Sequence, residues 1–410
     1  MESALFFEVK HAFLTFHPLL IMQTNKQNLK GLTLSELEQF ALSIGEQKYR
    51  GNQLFDWLYM KEVDSFDMMT SLSKQARERL ATIAAIENLR VKESHRSATD
   101  ETVKYLFELT DGKKIESVLI PPKKSFNSPD PDDEEEEQEQ EQTRLTLCIS
   151  TQVGCALDCA FCATASMGFL RNLTCGEIVD QVMQVKKHSG KRITNIVYMG
   201  MGEPLLNYEN VMKSVEIITT GLNIAARHIT ISTAGWVPGI IRMAEEKRRV
   251  KLAFSLHSLD EKVRTELMPV NKKYSWEKTL DAIEYYYKLV KVRVTFEYIL
   301  FDGLNDREED VRKLVKLSKR IPSKFNIIPF HSIASTLPSG FGATLRPTPK
   351  RRAEDFIEQL RQQNLTVFVR SSSGEDILAA CGQLAVKNDR RKAGKDYTVN
   401  ASPISNDKSA

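Results

Sequence analysis

The 410-residue chain has no run of about eighteen apolar residues, so a membrane-spanning helix is not expected. Its greasiest stretch, Phe13 to Met22, is short and is broken by His17 and Pro18. No arginine precedes Arg50, and the first thirty positions hold one serine, Ser3, together with Glu2 and Glu8. Such a start fits poorly with an Arg- and Ser-rich organelle transit peptide; a cytoplasmic protein is expected, with a plastid or mitochondrion as the alternative. Cysteine is scarce: the chain has six, half of them in one cluster. This is no disulfide framework, and it predicts metal or redox chemistry in a reducing compartment. Basic residues are missing from "DPDDEEEEQEQE", Asp130 to Glu141, which carries nine acidic ones. Taking those nine negative charges from the net charge of +3 leaves +12 on the rest of the chain. That excess suits a polyanion such as RNA, with ordinary solubility charge as the competing explanation.

What is present reads as an α/β protein. The 41% hydrophobic and 27% charged content is that of a globular chain with room for two or three domains. After an N-terminal extension (1–31), residues 32–92 show apolar positions at helical spacing, with Thr33 before Glu36 as a capping pair. This predicts a helical accessory domain. Across 93–122, "VKYLFEL" and "KKIESVLIP" flank the turn "TDGK" and predict a short β-hairpin linker. The acidic stretch, 123–143, lacks periodicity and reads as a disordered insertion. From 144 to 386, strand-like runs such as "ITNIVYMG", "HITIST", "KLAFSLH", "VRVTFEYIL" and "KFNIIPF" alternate with amphipathic segments. Six or seven such units predict a parallel (β/α) barrel, complete or partial, with its chemistry at the carboxyl ends of the strands. The strings "MGMGEP", "STAG", "SLHS", "DGLN" and "PFH" fall at those ends. The tail, 387–410, is basic and reads as disordered.

"GCALDCAFCATASMGF" sets Cys155, Cys159 and Cys162 in one loop. A structural zinc site takes four tetrahedral ligands, and ferredoxin-type clusters take four thiolates. Three thiols without a local fourth point to one [4Fe–4S] cluster with an open iron, or else to zinc completed from a distance. In "MGMGEP", Gly200 and Gly202 let the backbone approach a ligand closely, and Glu203 offers an anion to an ammonium group.

The spacing C-x-x-x-C-x-Phe161-C resembles the signature of radical S-adenosylmethionine enzymes. Together with "TLCISTQVGC", "EIVDQV", "NIVYMGMGEPLLNY", "ISTAG", "SLHS", "NIIPFH" and "DILAACGQL", it resembles the RlmN family of RNA (adenine-C2-)methyltransferases from about Leu34 to Leu384. The resemblance implies a radical S-adenosylmethionine (β/α) partial barrel and two S-adenosylmethionine molecules per turnover. It implies that Cys155, Cys159 and Cys162 hold the cluster, and that Gly202, Glu203, Ser232, Ser255, Leu256, His257 and Asn326 contact the cofactor. Cys381 would take a methyl group and, after hydrogen abstraction by a 5′-deoxyadenosyl radical, add its methylene to adenine carbon 2, a ring carbon too electron-poor for ordinary methyl displacement. Glu116 would act as general base, and Cys148 would release the adduct by forming a disulfide with Cys381.

Bacterial members of the family act on 23S ribosomal RNA and on the adenosine beside certain tRNA anticodons, so both are candidate substrates. An electron donor such as flavodoxin or ferredoxin, and a monomeric enzyme, are also expected. Cys175 reads as a bystander, and His331 stands where the family has asparagine after "IIPF". Two alternatives remain at this level: methylation of adenine carbon 8 by the sister activity, and a non-catalytic RNA-binding relative. A methylthiolating enzyme would need a second trio of thiols, which the scattered Cys148, Cys175 and Cys381 do not provide. Deletion of 126–142 is expected to leave methylation unimpaired, because acidic residues over a substrate channel would repel phosphates.

Overall fold

The computed structural model describes residues 26–122, 144–334, 336, 338–369 and 373–386. The expected acidic insertion, the basic tail and most of the N-terminal extension lie outside them. The helical unit opens with β1 (Gln27–Asn28), followed by α1 (Leu34–Ser43), α2 (Tyr49–Phe55) and α3 (Lys74–Ile83). Thr33 caps α1 as its spacing predicts: its hydroxyl accepts from the Glu36 N–H, and the Glu36 carboxylate accepts from the Thr33 N–H at 2.8 Å. β2 (Ala84–Ala85) returns to pair in parallel with β1. The unit therefore includes Gln27 to Gly31, which the sequence reading leaves in the extension. Two residues of strand are too short to show a period, and their pairing spans the whole helical segment.

Next come three antiparallel strands, β3 (Arg90–Arg96), β4 (Val103–Glu108) and β5 (Lys114–Ile120). The hairpin predicted from "TDGK" is β4–β5, with Gly112 at φ +76° in its turn. It is more than a linker. β5 pairs antiparallel with β6 (Thr146–Cys148), so the three strands extend the barrel sheet itself.

Between β6 and the remaining sheet strands, β7 (Gln152–Gly154) and β8 (Phe169–Asn172) form a small separate hairpin, followed by α4 (Cys175–Ser189). The parallel strands β9 (Asn195–Tyr198), β10 (Ile229–Thr233), β11 (Lys251–Ser255), β12 (Val294–Leu300), β13 (Ser323–Pro329) and β14 (Val367–Val369) then alternate with helices. The sheet order is β14-β13-β12-β11-β10-β9-β6-β5-β4-β3: seven parallel strands, then three antiparallel ones. Its two edges, β14 and β3, do not meet, so the barrel is partial. Leu147, Ile196, Ile231, Leu252, Phe254, Phe296 and Phe325 are wholly buried along successive strands and make a continuous core.

The helical unit is fastened to α4. A Cβ on Gly31 would fall 2.3 Å from the Gly176 nitrogen, so the two backbones meet where only glycine fits. Beside them Lys30 and Asp180, both buried, form an ion pair at 2.7 Å, and the second Asp180 oxygen accepts from the Leu89 N–H at 2.6 Å. One carboxylate thus holds the start and the end of the helical unit. Among the described residues no helix is long and apolar enough to cross a membrane.

Candidate active site

The three-cysteine loop grows out of the β7–β8 hairpin. Gly154 closes its base at φ +77°, and a Cβ there would stand 1.8 Å from the Gly168 carbonyl oxygen, so a larger residue would open the hairpin. Cys155 donates its N–H to that same Gly168 carbonyl at 2.9 Å, and Ala160 donates to Leu267 at 2.9 Å. These bonds hold the loop over the carboxyl ends of the parallel strands. Burial pushes the Cys155 thiol up to about 12 and raises Cys159 and Cys162 as well. As bare side chains they are neutral thiols; a cationic metal centre would reverse that preference. A donor set of three thiols on one loop fits a multi-iron cluster, whose ligands sit on separate irons, better than four-coordinate zinc.

Cys155, Cys159 and Cys162 line an open-mouthed cleft, together with Gly202, Glu203, Ser232, Ser255, His257 and Cys381. Gly202 has φ +101°, and a Cβ would strike Gln152 at 2.5 Å. The buried Glu203 carboxylate accepts from Leu205 N–H at 3.1 Å and Ala234 N–H at 2.9 Å. Burial drives its pKa up to about 7, which an ammonium partner would bring down. His257, at φ +54°, is buried edge-on against Phe161 with ring centroids 4.7 Å apart. Its Nδ1 accepts from the Ile299 N–H at 3.1 Å, which leaves the proton on Nε2. Burial and the nearby Arg264 lower its pKa to about 3, so the ring is a neutral donor.

Two expected cofactor residues do not line the cleft. Leu256 is wholly buried, and its N–H goes to the Glu297 carbonyl at 3.0 Å. Asn326 donates to the Glu297 carboxylate at 2.7 Å. Ser255, Glu297 and Asn326 sit side by side across β11, β12 and β13, so the cleft-lining carboxylate is Glu297. Sequence reading missed Glu297, although an acidic residue inside the apolar run "VTFEYIL" was a visible signal. It also missed Arg264, wholly buried, whose guanidinium donates to the carbonyls of Ala234 at 3.0 Å and Ser255 at 3.1 Å. That fork joins the ends of two strands beneath the cleft.

A second cavity adjoins the first; Cys162, Met199, Gly200, Cys381 and Gly382 are among the residues that line both. Cys148, Val118, Ile120 and His331 line only the second. Cys381 therefore stands where the two spaces meet. Its segment is fixed by Gly382, whose carbonyl accepts from Ala163 N–H at 2.6 Å, and by Leu384, whose carbonyl accepts from Thr164 at 2.7 Å. His331 pairs with Glu375 of the same segment at 3.0 Å. All six cysteines are free thiols, so the structure holds no resident Cys148–Cys381 disulfide; both thiols border the second cavity. Glu116 lies outside both linings, one step deeper on the β5 face that carries Val118 and Ile120.

Residues 149–315 match the radical SAM superfamily, and residues 27–86 match the ribosomal RNA large subunit methyltransferase N-terminal domain. The chain is 42% identical over 362 residues to the probable dual-specificity RNA methyltransferase RlmN of Thermoanaerobacter sp. strain X514, covering 88% of this chain and 98% of that protein. It belongs to the RlmN family. The RlmN of Salinibacter ruber is 40% identical over 88% of this chain and 94% of its own length. A crystal structure of a radical SAM methyltransferase from Sphaerobacter thermophilus superposes with a TM-score of 0.75 at 39% identity, covering 87% of this chain and 99% of that one. RlmN membership accounts for both halves of the chain: the helical unit carries the RlmN-specific match, and the partial barrel carries the radical SAM match.

Proposed function

We propose that the chain methylates carbon 2 of adenosine in RNA, ribosomal or transfer, with Cys381 as the carrier of the transferred carbon. The observation that supports this most is the position of Cys381 at the junction of two cavities, one bearing the cluster loop and Glu203, the other bearing Cys148. A carbon carrier needs access both to a donor and to an acceptor. The names of the two RlmN relatives, both RNA methyltransferases, and the basic remainder of the chain favour an RNA acceptor.

In this reading Cys155, Cys159 and Cys162 hold a [4Fe–4S] cluster, and Glu203, Ser232, Ser255 and His257 hold S-adenosylmethionine. When bound, the cluster and cofactor supply the methyl group and one-electron cleavage of a sulfonium. The rest belongs to the protein. Cys381 sulfur forms a bond to the incoming methyl carbon as the donor's sulfur–carbon bond breaks. Once that carbon is joined to the adenine ring, the ring hydrogen must leave as a proton, and Glu116 receives it. Cys148 thiolate, across the second cavity, bonds to the Cys381 sulfur as the sulfur–carbon bond to the adenine adduct breaks. The carbon leaves with that electron pair and takes up a proton to become the product methyl, and an external dithiol reduces the resulting disulfide to two thiols. The proposal includes a low-potential electron donor, a monomer, and a reducing compartment, the cytoplasm before an organelle.

Nucleoside mass spectrometry of ribosomal and transfer RNA from cells lacking the protein tests this. Complementation with the wild type should restore 2-methyladenosine, and Cys381→Ala should restore none. Recovery of 8-methyladenosine instead would transfer the assignment to the sister activity.

A further inference from the structure

Glu116 and the segment that carries Cys381 are far apart in the chain, yet one side chain touches both. Lys104 on β4 lies with its Nζ 3.3 Å from Oε1 of Glu116. The same Nζ donates at 3.3 Å to the carbonyl of Leu378, 274 positions away in sequence. The β4–β5 register sets Lys104 opposite Val118 and Leu106 opposite Glu116, so Lys104 and Glu116 are diagonal neighbours on one face. Both side chains are largely buried, at 13% and 7% exposure, where an ion pair is poorly screened. The other carboxylate oxygen, Oε2, is buried and has no hydrogen-bond partner among the described residues. One oxygen is anchored by Lys104; the other is buried and unpaired.

The backbone around Lys104 repeats the connection. Ala98 donates its N–H to Asp376 at 2.9 Å, and Gly374 donates its N–H to Asp100 at 3.0 Å. The turn before β4 and the Cys381 segment are thus bound to each other from both sides. We propose that Lys104 is a positioning residue that grips Glu116 by Oε1 and the Cys381 segment by the Leu378 carbonyl, keeping the Glu116 carboxylate and the Cys381 sulfur in one frame. The inference rests on the reading of Glu116 as base and Cys381 as carrier.

The electrostatics give Lys104 a second effect. Burial raises the Glu116 pKa, and the Lys104 charge and hydrogen bond oppose that rise, with smaller help from the Ala385 N–H and from His95. These come from β4, the Cys381 segment and β3; on the β6 side Ser150 hydroxyl bonds the Glu116 carbonyl at 2.6 Å, and Cys148 faces Val118. Without Lys104 the carboxyl would hold its proton to higher pH and be less available as a base.

The test uses reconstituted holoenzyme whose Cys381 is already methylated, and follows one turnover of carbon transfer to RNA against pH for wild type, Lys104→Met, Lys104→Arg and Glu116→Gln. Lys104→Met should keep Cys381 methyl occupancy, read by peptide mass, at the wild-type level. Its transfer at neutral pH should fall about tenfold, with the acid limb of the profile moved up by about one pH unit. Lys104→Arg should recover most of the rate. An unmoved acid limb, or parallel loss of methyl loading and transfer at every pH, overturns the inference. Wild-type transfer by Glu116→Gln would instead refute Glu116 as base, whatever Lys104→Met does.

Discussion

The parallel and antiparallel parts of the sheet reach the reaction space differently. In the parallel part the polar groups gather near the carboxyl ends of strands: Glu203 after β9, Ser232 in β10, Ser255 and His257 at the end of β11. Each comes with its own local string. The antiparallel part contributes through the middle of β5, where Glu116 sits, and through a turn that binds a segment from the far end of the chain. In the proposed reading, holding a cofactor and completing the transfer fall to different stretches of chain. Their separation is open to experiment.

The largest effect expected divides the two parts. Cys159→Ser should strip iron from anaerobically purified protein and abolish RNA methylation, since a cluster bound by three thiolates has none to spare. Glu116→Gln should keep the iron and the methyl group on Cys381, while transfer to RNA falls by about 10²–10⁴-fold, the usual contribution of a positioned base. Iron per chain, peptide mass and released 2-methyladenosine measure the three quantities. Iron loss in Glu116→Gln would mean that the two parts are not separable.

A smaller effect is expected where the helical unit joins the barrel. Asp180→Ala leaves the Lys30 ammonium buried without its carboxylate and removes the acceptor of the Leu89 N–H. Breaking one partner of such a pair costs about 3–5 kcal/mol. The urea midpoint should fall accordingly, and Lys30→Met in the same chain should recover part of the loss by removing the stranded charge. An unchanged midpoint in Asp180→Ala would show that the apolar contacts around Gly31 and Gly176 suffice.

The seven parallel strands were legible because each was a short β-rich run bounded by a helix, and strand ends bring their own motif residues. The cysteine loop was legible for the same reason: its ligands are close in sequence. Local chemistry also gave the Thr33 cap and the Gly112 turn. What escaped depends on register or on distant contact. Glu297 joins Ser255 and Asn326 only when three strands are aligned, and Arg264 finds its two carbonyls only when the ends of β10 and β11 meet. The third antiparallel strand, β3, was hidden because its sequence "RVKESHR" is mostly exposed and carries no apolar alternation. Leu256 was correctly placed at a strand end but faces the core, which a motif string cannot reveal.

The smallest effect is expected at Cys175, and it sharpens the contrast among the thiols. This cysteine begins α4, is buried beneath the helical unit, and lines neither cavity. Burial raises its pKa to about 12, with Lys213 opposing and Glu36 adding to the rise. Cys155 is raised as far, so position and not pKa separates the two: Cys175 shares neither the three-cysteine loop nor either cavity, and nothing brings substrate or a metal centre to it. Cys175→Ala should therefore leave iron content, Cys381 methylation and RNA methylation within about twofold of wild type, with stability lowered by about 1 kcal/mol for the lost sulfur packing. Loss of iron in this variant would mean that a thiol outside the loop takes part in the metal centre, and the three-ligand account would fail with it.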